Sequence, residues 1–151
     1  MNKAAFFSGD RKHRFVLIRE WDNTKPAISF IGLNPSTANE HEDDPTIRRV
    51  IAFAKSFGFG KVYMLNLFSF VTPYPKDLLN AIDLNHTNDS YIKEYTSLSK
   101  NVIFCWGNFE TFGRDKKVIS MIPYGFCLGK NANGSPKHPL YLKSNTPPQI
   151  F

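Results

Sequence analysis

In Phe30-Ile31-Gly32-Leu33-Asn34-Pro35-Ser36, apolar and small residues run straight into an amide, a proline and a hydroxyl. The run reaches back to Ala27 and lacks the strict alternation of a strand with one wet face. Ile28, Phe30 and Ile31 therefore suit a central strand buried on both sides. Proline fixes φ and removes a backbone donor, so the strand ends here. Asn34 is then a polar amide at the exit of a buried strand, which has two readings. It either satisfies backbone groups in a turn or offers its donor and acceptor to a ligand.

The same punctuation recurs along the chain. Asp44-Pro45 is a helix start, because the carboxylate caps free amides and proline suits the first turn. Ile47, Val50, Ile51, Ala54 and Phe57 then repeat on one helical face until Gly58 or Gly60 ends the helix. Residues 61–67 return as a strand that carries Asn66 near its exit. Thr72-Pro73-Tyr74-Pro75 interrupts regular structure, and a second helix is expected from Thr87 or Asn88. Residues 102–106 read as a short buried strand ending at Gly107, residues 109–121 as a helix, and residues 124–128 as a last strand. Upstream, residues 13–20 form a strand, and Trp21-Asp22-Asn23-Thr24-Lys25-Pro26 turns it into a hairpin with residues 27–33.

Strands alternating with helices after residue 27 predict an α/β fold, a three-layer αβα sandwich with a mostly parallel central sheet. No repeat or linker divides the 151 residues, so residues 1–151 read as a single domain. Sheets of this kind hold their sites beyond the carboxyl ends of the strands. Asn34, Asn66, Gly107 and His138 all fall at or just past such ends.

Composition narrows the classes. An apolar fraction of 42% supports a packed core, and fourteen Phe, six Tyr and two Trp suit either that core or an aromatic pocket. A net charge of +6 permits attraction to nucleic acids, nucleotides and other anions. The basic residues form no run and no tail, only short scattered pairs such as Arg11-Lys12, Arg48-Arg49 and Lys116-Lys117 among single ones. No apolar run approaches the roughly 18 residues of a membrane span, so no membrane partner is expected. The amino-terminal segment soon meets Gly9-Asp10-Arg11-Lys12, which leaves no secretory core, and the expected compartment is cytoplasmic.

Several chemistries are disfavoured by spacing. Cys105 and Cys127 sit in apolar surroundings and read as buried thiols. His41-Glu42-Asp43-Asp44 crowds its donors consecutively, so no metal site is expected there. Ser36 follows Asn-Pro rather than a G-x-S-x-G elbow, and neither a P-loop nor a dinucleotide fingerprint is present. What remains is a set of polar residues at strand ends. Asn66 carries both donor and acceptor, as reading one edge of a heterocycle requires. Phe68, Phe70, Tyr74 or Trp106 could stack on such a ring or serve the core. His138 could stabilise a leaving group or be structural. Arg48, Arg49, Lys130 and Lys137 could hold phosphate or be solvated.

Two resemblances arise from these residues. Ile31-Gly32-Leu33-Asn34-Pro35-Ser36-Thr37-Ala38, Asp44-Pro45-Thr46, Tyr63-Met64-Leu65-Asn66-Leu67-Phe68 and His138-Pro139-Leu140-Tyr141-Leu142 together resemble the bacterial domain-of-unknown-function family 1643. More distantly, the order of motifs is similar to the uracil-DNA glycosylase superfamily, whose members flip a base and cleave its bond to the sugar. Gly32-Leu33-Asn34-Pro35 is similar to the first motif, Asn66 to the base-reading amide, Phe104-Cys105-Trp106-Gly107 to the Trp-Gly strand and His138-Pro139 to the last motif. The resemblance implies a uracil-DNA glycosylase-like fold without metal or organic cofactor. It implies Asn34 and His138 as catalytic residues, with Gly32, Pro35, Ser36, Asn66, Phe68 and Trp106 at the base. Ser36 and Leu140-Tyr141-Leu142 depart from the usual motif continuations. The implied partner is a nucleobase, nucleotide or nucleic acid. The implied reaction is hydrolysis of an N-glycosidic bond, the alternatives being a non-catalytic binding protein or an interaction scaffold. The base and the oligomeric state stay open.

Overall fold

The structure is a computed structural model that describes residues 1–151. Seven strands make one sheet: β1 (Asn2–Phe7), β2 (Arg14–Glu20), β3 (Ala27–Gly32), β4 (Lys61–Asn66), β5 (Asn101–Phe104), β6 (Phe126–Cys127) and β7 (Gln149–Ile150). Their order across the sheet is β1-β2-β4-β3-β5-β6-β7. β4, β3, β5 and β6 run parallel to their neighbours within that set. β1–β2, β2–β4 and β6–β7 are antiparallel.

The sheet is therefore mixed and open, which overturns the expectation of a mostly parallel, uracil-DNA glycosylase-like sheet. Two of the antiparallel neighbours, β1 and β7, are edge strands with no fully buried residue, so no two-sided apolar pattern announces them. The expected hairpin of β2 with β3 is corrected as well, because β4 lies between them. Gly60 allows this. The carbonyl of Asp22, in the connection from β2 to β3, lies only 1.9 Å from where a Cβ on Gly60 would stand. The backbone there is tied by Trp21 N and Asp22 N donating to Gly60 O, and by Gly60 N donating to Pro26 O.

Helices cover both faces. α1 (Pro45–Ser56) begins as its sequence demands: Asp44 caps it by accepting from Ile47 N at 2.9 Å, and Pro45 follows. Its buried Ile47, Val50, Phe53 and Ala54 pack on Ile28, Phe30, Val62 and Met64 of the sheet. α2 (Asn85–Ser97) and α3 (Arg114–Ser120) lie on the opposite face, where Ile92 and Val118 meet Ile31, Leu65, Phe104 and Trp106. The third helix is shorter than the expected 109–121, because Gly113 takes a left-handed φ of 82° and only the residues after it wind. Residues Pro75–Asn80 form a 3-10 turn in the irregular middle segment.

One consequence of this topology places the site. From β3 the chain crosses to β4 on one side, and from β5 it crosses to β6 on the other. β3 and β5 are adjacent and their exits diverge, which opens a crevice at their carboxyl ends. No helix is long and apolar enough to cross a membrane.

Candidate functional site

A cavity of about 190 Å3 occupies that crevice. Asn34, Asn66 and His138 all line it, as do Gly32, Pro35, Ser36 and Trp106. It is smaller than the roughly 300–1,000 Å3 of sites for drug-sized ligands, a size that suits one ring rather than a whole nucleotide.

Asn34 is half-buried and has a structural duty. Its Nδ2 donates to the carbonyls of Thr72 at 2.8 Å, Pro35 at 3.1 Å and Phe70 at 3.4 Å. The amide thereby staples the Pro-rich segment after β4 to the exit of β3, the first of the two roles open to it in the sequence. Its Oδ1 is the end left for other company.

Asn66 is different. It is 2% exposed, and it enters the protein's hydrogen bonding through its backbone, where its carbonyl accepts from Asn88 Nδ2 at 2.9 Å. Its own Nδ2 is buried without a partner. An unsatisfied buried donor costs about 1–3 kcal/mol, so this amide is held in the cavity wall against its own preference for water. Gly32 provides the room, since a Cβ there would stand 2.9 Å from Asn66 Oδ1.

His138 comes from the loop after β6 and begins the 3-10 turn Pro139–Tyr141. Its Nδ1 accepts from Leu140 N at 3.2 Å, which assigns the ring proton of the neutral imidazole to Nε2. Burial pushes its pKa below the usual histidine value, and the negative charge of Asp44 offsets this in part. Gly107, with a left-handed φ of 78°, turns the chain beside it: a Cβ on Gly107 would lie 3.5 Å from His138 Cβ.

Asp44, read as a helix cap, also lines the cavity. Its oxygens accept three hydrogen bonds, Oδ1 from Ile47 N and Oδ2 from Ser36 Oγ at 2.9 Å and Ala38 N at 3.2 Å. Ser36 thus spends its hydroxyl on holding the cap. The helix-start amide is likewise taken by this carboxylate. Cys105 lines the cavity too, but complete burial pushes its thiol up to about 12, which leaves no thiolate nucleophile.

Some sequence-predicted residues lie elsewhere. Phe68 is fully buried and packs edge-on against Phe112, so it belongs to the core and does not reach the cavity. Arg48 donates to the carbonyl of Asp43, and Arg49 to that of Leu142 while covering the Phe53 ring. Lys130 lies over Phe151. None of these three cations lines the cavity. Lys137 does line an outer groove that meets the cavity at His138 and Phe109. His41, Glu42, Asp43 and Asp44 do not gather, and no group of three or more metal-ligating side chains forms anywhere.

Arg14 was missed by sequence reasoning. It lines the cavity, is 3% exposed, and donates from Nη1 to Ala38 O at 3.0 Å, while its Nε has no partner. Burial lowers its pKa to about 10, with Asp44 opposing and Arg19 adding to the shift, so it stays a cation at neutral pH. A strand-initial arginine carries no local signal of such a place. Thr72, Pro73 and Pro75 also wall the cavity, from a segment legible only as a break in regular structure.

No curated protein and no solved structure matches the chain. The model of a family described as "Protein of unknown function (DUF1643)" matches residues 14–140, a span from Arg14 past His138 that contains every polar residue of the cavity, and the chain belongs to that family.

Proposed function

We propose that this cavity recognises a nucleobase or nucleoside, and that the bond broken there is N-glycosidic. The observation that carries the reading is Asn66, a buried amide without a partner for its donor in a ring-sized cavity shared with Asn34 and His138. An amide matches a base edge that presents an acceptor beside a donor. Trp106 supplies an aromatic wall to the same space.

The chemistry follows from what the cavity lacks. Asp44 is occupied with capping α1 and accepts from three donors, and the amide of Asn34, which would hold the water, has no useful basicity. Cleavage must then be dissociative. The C1′–N bond breaks first and its electron pair leaves with the base. His138 donates from Nε2 to the oxygen on which that charge collects. Asn34 Oδ1 holds a water, which adds to the sugar cation and loses its proton to the departing base or to solvent. Free base and a sugar with a new hydroxyl result. No metal or organic cofactor enters this scheme.

The same commitments favour a second reading, binding of a nucleotide or nucleic acid without chemistry. Asn34 already has a sufficient structural duty in its three backbone contacts. An interaction scaffold is the weakest of the three readings, since it expects no polar cavity joining Asn34, Asn66 and His138.

Purified protein is incubated with single- and double-stranded oligonucleotides carrying uracil, hypoxanthine and damaged or hypermodified bases, and free base is quantified by mass spectrometry. Release that is lost separately in Asn34→Ala and His138→Ala supports hydrolysis. Saturable binding without release, from folded protein, supports the second reading.

A further inference from the structure

Three arginines are buried in this protein: Arg14, Arg19 and Arg114. Two are compensated. Arg19 pairs with Asp43 at 2.8 Å and donates to the carbonyls of Ile18, Asn39 and Glu42. Arg114 pairs with Asp89 at 2.6 Å and donates twice to Leu67 O. These satisfy the rule that a buried charge is paired and hydrogen-bonded. Arg14 breaks it. Its one protein hydrogen bond goes to Ala38 O, Nε is left without a partner, and the nearby Asp44 is turned to three other donors.

The topology explains how a cation came to be there. β2 is antiparallel to β4, with Leu17 opposite Met64, so the start of β2 lies at the sheet end where β3, β4 and β5 finish. Arg14 is the first residue of β2 and so stands at the cavity. The polar wall then brings together Arg14, Asn66 and His138, with the Asp44 carboxylate beside them. Arg14 is the one permanent cation of that wall, and its side chain makes a single protein hydrogen bond, to Ala38 O. Such a wall suits acceptors, and above all an anion, because guanidinium pairs with planar oxyanions through two parallel bonds.

We propose that the ring bound in this cavity is an anion, carrying either a carboxylate or an ionised ring oxygen, and that Arg14 is the residue that pairs with it. The proposal rests on the nucleobase reading of the cavity and names the class of base. A neutral base would leave the guanidinium without an ion-pair contact, since the nearby Asp44 carboxylate is turned to other donors. An anionic one completes the set that Arg19 and Arg114 complete with carboxylates of the chain.

The test uses matched ring pairs that differ in charge: orotate against uracil, and xanthine, the more acidic purine, against hypoxanthine. Affinities of the full chain for each free base are measured by calorimetry near pH 8, with inorganic phosphate as a separate ligand. The charged member of each pair is expected to bind about tenfold tighter or more, the size of a charge-assisted contact. That preference is expected to vanish in Arg14→Gln and to survive in part in Arg14→Lys, which keeps the charge but not the fork. Thermal melting of each variant establishes that it folds. Equal affinity within the pairs, or a preference untouched by Arg14→Gln, overturns the proposal. In that case uracil or hypoxanthine binding that is lost in Asn66→Ala leaves the nucleobase reading standing. Arg14-dependent binding of phosphate with no binding of any ring overturns both.

Discussion

Gly32 and Asn66 stand opposite each other on neighbouring parallel strands, and the absent side chain of one is the space that holds the amide of the other. A Cβ at position 32 would lie 2.9 Å from both Asn66 Oδ1 and Met64 Cε. The methionine end can yield, but the amide has a strand backbone behind it. Gly32→Ala is therefore expected to cost about 1–3 kcal/mol, as overpacking does. Base binding should fall further than stability, as the amide is pushed off its position. Urea denaturation and ligand affinity measured on the same sample separate the two effects; unchanged affinity would show that Gly32 does not position the amide.

Asn66 itself carries the opposite expectation. Its unpartnered donor costs about 1–3 kcal/mol, which an apolar residue of similar volume does not incur. Asn66→Leu is expected to leave the unliganded protein as stable or more stable while abolishing binding or release. A shift of the urea midpoint to lower concentration would show that the amide is structural.

Arg14 gives a related stability test. Burial depresses its pKa to about 10, well below the usual arginine value, so the folded state disfavours the charged form. At about 1.4 kcal/mol per unit, that is a penalty of roughly 3 kcal/mol. The sign is that of a base with a lowered folded pKa. The penalty is present at every pH below about 10 and is relieved only above it, where the folded-state guanidinium loses its proton. Arg14→Met removes the charge but also the bond to Ala38 O. A net gain of about 1–2 kcal/mol is expected, in line with replacement of other buried charges. A loss of stability would mean that the guanidinium is compensated in the folded protein after all.

His138 sets the pH dependence. Its pKa lies below the usual histidine value because burial disfavours the imidazolium. Its contribution to stability is thus fully present above the unfolded value and is lost as pH falls through the lower folded value. Protonation also takes away the Nδ1 lone pair that accepts from Leu140 N. Nuclear magnetic resonance titration of the His138 ring should give a midpoint below 6.5, the unperturbed value. Activity or binding should hold down to that midpoint and then decline. A midpoint above 6.5 would contradict this account of the ring.

Cys105 lines the cavity with its thiol pushed up to about 12. Alkylation by iodoacetamide at pH 8 is expected to be slow in the native protein and rapid in urea. Fast native labelling at Cys105 would show a thiolate the burial does not allow.

Much of the parallel half of the fold was legible because its signals are local. Asp44-Pro45 marks the start of α1 at the residue where it begins, since cap and proline act within one turn. The exits of β3 and β4 were legible for the same reason, and they bring Asn34 and Asn66 to one cavity. Phe68 was misplaced by two residues' distance from Asn66. Past the strand end the backbone continues its ladder, with Phe68 N donating to Leu33 O, and the ring goes into the core instead. The basic pairs misled because charge alone does not say which face a side chain leaves from. Arg49 packs along Phe53 and Lys130 along Phe151.

Asn34, Asn66 and His138 could be singled out from composition and punctuation, because a polar residue ending a buried strand is visible in a window of six or seven residues. Strand direction and neighbour order are not written in such a window. They follow from which faces can be buried together and from how the connections close, here through the close passage of Asp22 over Gly60 and the insertion of β4 between β2 and β3. That long-range packing turns β2 antiparallel, and only then does Arg14, an ordinary strand residue in the sequence, stand buried at the cavity without an ion-pair partner.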